Sequence, residues 1–181
     1  MGRKYDQIKK YIEADVEDDV RLLISDFAIL WNNYEKYLFP DDKGNPYYKF
    51  SKILNNEKGK LSVINKVLNN INDDYEKDII GLYDRFIIYF KKTDGELTTR
   101  QFIERYSVRK SDISYNELSK IIEFPNLKNK YLLLMLMVGR VRNNMFHGIK
   151  NINDLNNQKE LFEICNNLLT LSLDITNMLV L

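Results

Sequence analysis

The sequence predicts an all-α protein, a helical bundle of four main helices with shorter helices between them. Three observations predict it. Apolar residues recur at steps of three and four along most of the chain. Only three prolines and seven glycines interrupt 181 residues. Helix start and stop signals also fall at the ends of the periodic stretches, among them a capping box at Ser114-Tyr115-Asn116-Glu117. A hydrophobic fraction of 44% is enough for a real core. No internal repeat, low-complexity linker or boundary divides the chain, so residues 1–181 read as one helical domain.

In chain order, Lys4–Ala14 reads as a short amphipathic helix carrying Ile8, Tyr11 and Ile12. Asp18–Phe39 reads as a long one, with Leu23, Phe27, Leu30, Tyr34 and Leu38 on a stripe and Trp31 beside it. Pro40 ends it, and residues 41–46 make a polar turn. Tyr47–Asn56 is a weaker helix, and Leu61–Ile71 follows with Ile64, Val67, Leu68 and Ile71 on one side. Asp73–Lys92 opens on two acids and closes on two lysines, as the helix dipole prefers. Thr93-Asp94-Gly95 reads as a turn, and Leu97–Val108 fits helix and strand equally. Ser114–Phe124 stops at Pro125. Asn126–Phe146 contains the unbroken apolar run Leu132–Val138, which predicts a position at the centre of the core, and Gly148 stands where a C-cap glycine would end it. Gln158–Leu181 is a final helix, apolar over much of its circumference.

Charge and composition exclude several classes of function. With 27 basic and 26 acidic residues the formal net charge is +1, so no global field draws the chain to a polyanion or a membrane surface. Any nucleic-acid contact must come from a local cluster. Cys165 is the only cysteine and His147 the only histidine, which removes disulfide frameworks and the usual Cys/His metal sites within one chain. Neither a Walker loop nor a G-x-G-x-x-G is present, and no cofactor or metal is expected. The opening Met1-Gly2-Arg3-Lys4-Tyr5 runs straight into charge, with Asp6 where a myristoylation signal wants Ser or Thr. The apolar runs are too short to span a bilayer, so the expectation is a cytoplasmic protein with no membrane partner.

Polar chemistry concentrates at the end of the most hydrophobic helix, in Gly139-Arg140-Val141-Arg142-Asn143-Asn144-Met145-Phe146-His147-Gly148. Taken singly, each side chain has a structural explanation: a histidine before a C-cap glycine, and arginines in the last turns, satisfy carbonyls and the dipole. Taken together, two arginines, two amides and the one histidine on a core helix have a partner to satisfy, either a buried network or a ligand. Histidine titrates near neutrality and can take or give a proton. Arginine offers a planar donor fork.

The spacing resembles the R-x(4–6)-H signature of the HEPN superfamily. Arg142 and His147 enclose four residues and Asn143 follows the arginine, which gives the R-N-x-x-x-H form; Val141–Gly148 is similar to the R-N-N-x-F-H-G version seen in many bacterial members. The motif covers about ten residues, while the helical architecture matches loosely across the chain. The resemblance implies a metal-independent endoribonuclease that cuts RNA by 2′-hydroxyl attack. Its products would carry a 2′,3′-cyclic phosphate and a 5′-hydroxyl, and its role would be that of a toxin or phage-defence effector. It also implies a homodimer that pairs two motifs in one cleft. The single histidine points the same way, because one imidazole cannot easily be base and acid in one turnover. The catalytic set expected from the match is Arg142, His147 and Asn143, the amide orienting the histidine.

Arg140 is a second candidate arginine, with six residues before His147. On an ideal helix Arg140, Asn143, Asn144 and His147 share one stripe, while Arg142 points away. Further candidates are Asn144 and, on the early long helix, Asp26, Asn33 and Glu35, whose bland explanation is a solvated face. Trp31 reads as core rather than a base-stacking platform, and Cys165 as an inert buried thiol. Arg105, Arg109 and Lys110 read as solvated surface, with RNA phosphate contact as the sharper option. The alternative function is a non-catalytic HEPN module that binds RNA, a nucleotide or a partner protein. Some members pair with an antitoxin that modifies a tyrosine shortly after the histidine. Gly148 and Ile149 follow here, a departure from that regulatory pattern.

Overall fold

The computed structural model describes residues 16–38, 67–109, 113–146 and 153–176, and every regular element among them is helical. The bounded helices are α1 (Asp18–Leu38), α2 (Asp73–Asp94), α3 (Thr99–Tyr106), α4 (Tyr115–Glu123), α5 (Leu127–Phe146), α6 (Asn153–Asn156) and α7 (Lys159–Ile175). The expected helices Lys4–Ala14 and Tyr47–Asn56 and the turn at 41–46 lie outside the described residues, as do His147 and Gly148. Of Leu61–Ile71, residues 67–71 are described, and 67–69 are helical.

Local chemistry sets the helix ends. Asn72 caps α2 through its side-chain carbonyl, which accepts from Asp74 N at 3.1 Å and Tyr75 N at 2.9 Å. The expected turn at Thr93-Asp94-Gly95 is instead the last turn of α2. The Thr93 hydroxyl bonds back to the carbonyls of Tyr89 and Phe90, and only Gly95, at φ 84°, leaves the helix. The ambiguous stretch Leu97–Val108 is helical over α3. Thr98 caps its start, and Ser107, at φ 52°, turns it off in the left-handed region. The capping box before α4 is complete: Glu117 N donates to Ser114 Oγ at 3.3 Å, and Ser114 N to the Glu117 carboxylate at 3.2 Å. Asn126 caps α5 rather than belonging to it, accepting from Asn129 N at 2.9 Å.

The bundle is built around α5. Every residue from 131 to 141 is buried, as the apolar run Leu132–Val138 predicts. α2, α3, α4 and α7 pack against it, and α7 also packs against α1 and α2. One continuous hydrophobic cluster joins them, with Phe27 and Phe162 edge-on at 5.9 Å between α1 and α7, and Phe86, Phe102 and Tyr106 between α2 and α3. Each fully buried Leu or Phe contributes roughly 1.5–3 kcal/mol of transfer free energy, so this cluster dominates the stability. Polar ties cross it: Asn166 Nδ2 donates to the Leu23 carbonyl at 2.9 Å, and the hydroxyls of Tyr131 and Ser172 lie 3.0 Å apart. Ion pairs at the rim join Arg85 to Glu163, Lys92 to Glu160 and Lys159 to Asp19. No helix of the described residues is long and apolar enough to cross a membrane.

Candidate functional site

The C-terminal end of α5 meets the second half of α1, and Arg142 stands at that junction. Its side chain is about a quarter exposed (26%), so it reaches solvent without being loose. Three neighbours bracket it. Nη2 faces the Glu35 carboxylate at 3.8 Å. Nη1 donates to Asn143 Oδ1 at 3.2 Å. The guanidinium carbon lies 6.0 Å from the Trp31 ring centroid, at the limit of a cation–π contact. Trp31 and Glu35 are four residues apart and so share one face of α1. Trp31 itself is buried, 3% exposed, and packs between Phe27 and Tyr34.

Arg140 stands elsewhere. It is buried (4% exposed), and Nε donates to the Tyr106 carbonyl at 2.8 Å. Tyr106 is the last residue of α3, so Arg140 places positive charge at the negative end of that helix. The two arginines therefore serve different elements: Arg140 closes α3, and Arg142 faces α1. Of the stripe expected for Arg140, Asn143, Asn144 and His147, Arg140 and Asn143 are buried, Asn144 is half-buried, and His147 lies outside the described residues. Arg140 and Asn143 are thus packed, and the more exposed arginine is Arg142.

The other expected residues divide. Glu35 is brought to Arg142. Asp26 is not: nine residues before Glu35, it projects from the other side of α1 and is exposed. It lines an open groove of roughly 470 Å³ between α1 and α7 with Ile29, Asn166 and Thr170. Asn33, seven residues after Asp26, shares its side and is half-buried. Asn144 is half-buried on α5. Trp31 is core, as expected, and no base can stack on so enclosed a ring. Arg105 is engaged within the chain, 3.4 Å from Asp94 and 3.4 Å from the Tyr89 hydroxyl, rather than a free surface cation; Arg109 is exposed, and Lys110 lies outside the described residues. Cys165 is fully buried with Sγ 3.5 Å from Met137 Sδ, and burial pushes its thiol pKa up.

Beneath the site, buried hydroxyl-bearing side chains come from three helices, Tyr34 on α1, Tyr131 on α5 and Ser172 on α7, and the last two hydroxyls lie 3.0 Å apart. Burial raises the Tyr34 pKa well above the usual phenol range, with the neighbouring Tyr131 adding to the effect; Tyr131 is pushed up to about 12, mainly by burial. Both phenols stay neutral at physiological pH and act as fixed dipoles in the floor.

The sequence did not point to Trp31 and the Tyr106 carbonyl as partners of the two arginines. The i, i+4 spacing of Trp31 and Glu35 was the available signal for the first. Nothing local signals the second, because it depends on where α3 lands. No family model and no curated protein matches this sequence, and no solved structure matches its fold.

Proposed function

We propose that this chain is a metal-independent endoribonuclease of the HEPN type, acting as a cytoplasmic homodimer in growth arrest or phage defence. The observation that carries the reading is the R-N-x-x-x-H string, Arg142 to His147, issuing from the most deeply buried helix. The partly exposed side chain of Arg142, bracketed by Glu35, Asn143 and Trp31, supports it. Such a group is oriented before a phosphate arrives, which is what electrostatic catalysis requires.

In the proposed reaction one His147 takes the 2′-hydroxyl proton, and the 2′-oxygen attacks the adjacent phosphorus. The P–O5′ bond breaks, and the departing 5′-oxygen takes a proton from His147 of the second copy. Arg142 neutralises the equatorial oxygens as charge develops. A 2′,3′-cyclic phosphate and a 5′-hydroxyl result. The two imidazoles exchange protonation states, which solvent resets. Asn143, expected to orient the histidine, holds Arg142 through Oδ1.

The test is cleavage of total bacterial RNA and a tRNA pool in excess EDTA by wild type, His147→Ala and Arg142→Ala, with fragment ends identified. Cleavage by wild type alone, leaving cyclic phosphates, is the expected outcome. No cleavage of any RNA by folded wild type would sink the nuclease reading and favour a module that binds RNA, a nucleotide or an antitoxin-like partner protein.

A further inference from the structure

We propose that Trp31 is the positioning residue for Arg142, its indole face fixing the guanidinium in the orientation that meets phosphate. The inference rests on the reading of Arg142 as the arginine of the site, and it adds a residue that the motif does not contain.

Two observations carry it. The guanidinium carbon lies 6.0 Å from the Trp31 ring centroid, while the same arginine is held on other sides by Glu35 at 3.8 Å and Asn143 at 3.2 Å. A planar cation so enclosed is bounded by the ring on one side and by the carboxylate and amide on others. The second observation is the indole nitrogen. Trp31 Nε1 is buried and has no hydrogen-bond partner among the described residues. A buried N–H without a partner is a cost that phenylalanine or leucine would avoid at a site needing only apolar bulk. The neighbours Phe27 and Tyr34 show that this stripe of α1 accepts other aromatic rings. What tryptophan supplies beyond them is the strongest π face for a cation, and its neighbour on that face is Arg142.

Trp31 does not touch RNA in this account, since it is 3% exposed. It acts through Arg142. Its partner Glu35, one turn on, completes a two-point clamp from α1 on a residue of α5. Activity therefore depends on how α1 packs against the end of α5.

Trp31 is the only tryptophan in the chain, so its fluorescence reports on this contact without labelling. The experiment has two arms. In the first, emission spectra are recorded for folded wild type, Arg142→Ala and, as a control, Arg85→Ala, whose ion pair is with Glu163 between α2 and α7. A change in emission maximum or yield with Arg142→Ala and none with Arg85→Ala is expected; an unchanged spectrum in Arg142→Ala overturns the proposal whether or not the protein cleaves RNA. In the second, RNA cleavage is measured for Trp31→Leu and Trp31→Phe after melting curves establish that both fold. Trp31→Leu should lose roughly tenfold or more in kcat with KM nearly unchanged, and Trp31→Phe should recover most of it. A folded Trp31→Leu with wild-type kcat overturns the positioning role. Wild type inactive on every RNA, with the fluorescence change present, removes the nuclease reading and leaves the Trp31–Arg142 contact standing.

Discussion

Arg140 and Arg142 show how far one side chain's fate departs from its neighbour's. Two residues apart on a helix they point about 200° apart, and the structure uses both directions. Arg140 is buried and donates to the Tyr106 carbonyl at 2.8 Å; Arg142 is about a quarter exposed beside Glu35. Removing Arg140 leaves a carbonyl without its charged donor at a helix end inside the protein. Arg140→Met should therefore destabilise by roughly 2–4 kcal/mol, and Arg142→Ala by about 1 kcal/mol or less. Chemical denaturation of the two variants beside wild type checks this. Equal losses would mean that Arg142 is as structural as Arg140. In a cleavage assay the order should reverse, with Arg142→Ala inactive although folded. Helical periodicity alone separated the two arginines but could not say which direction was the packed one. That depends on α3 lying against the end of α5, a tertiary fact with no local signature.

At the scale of elements, Gly81 and Ser114 make a matched pair. Gly81 sits in the middle of α2, exposed, and a Cβ built there meets nothing within 4 Å. Its backbone is helical, so nothing local requires glycine. Gly81→Ala should raise stability by about 1 kcal/mol, the difference in helix propensity. Ser114→Ala should cost about 1 kcal/mol, because it removes half of a complete capping box. Differential scanning calorimetry should show Tm moving up for one and down for the other. A lower Tm for Gly81→Ala would mean that another molecule approaches α2 closely at that point. Elements like these were largely legible beforehand. The capping box, the central place of Leu132–Val138 and the start of α2 at Asp73 all follow from spacing and charge. Leu97–Val108 was not legible, because so short an amphipathic stretch fits both periods until Thr98, Ser107 and Arg140 close the ends of its eight-residue helix. The candidate site divided in the same way. Arg142 and Asn143 came from the motif, whereas Glu35 could be told from Asp26 only once α1 had been placed against α5.

Buried phenols sit on several helices of the molecule, and that gives its stability a direction in pH. Tyr131 is pushed up to about 12, Tyr34 and Tyr106 are raised well above the usual value, and Tyr83 and Tyr89 are raised, burial being the largest cause in each. In the unfolded chain these phenols lose their protons near pH 10. Above that pH the folded state binds more protons than the unfolded state, so stability must fall as pH rises. The contribution is fully present below about pH 10 and is lost as pH climbs towards 12; for Tyr131 alone it approaches about 3 kcal/mol. The buried Cys165 thiol acts with the same sign from a lower starting pH, since its pKa is raised too. Urea unfolding at intervals from pH 8 to 12 should give a plateau and then a steep decline, with tyrosinate absorbance appearing together with loss of helix. Tyr131→Phe should shallow that decline by about one proton's worth, roughly 1.4 kcal/mol per pH unit. The same variant removes the Tyr131 hydroxyl, which lies 3.0 Å from the Ser172 hydroxyl and ties α5 to α7. It should therefore lower stability at neutral pH while softening the alkaline fall. Tyrosines that titrate freely near pH 10 with the helices intact would show that the phenols are not enclosed and that α1 does not seal this side of the core.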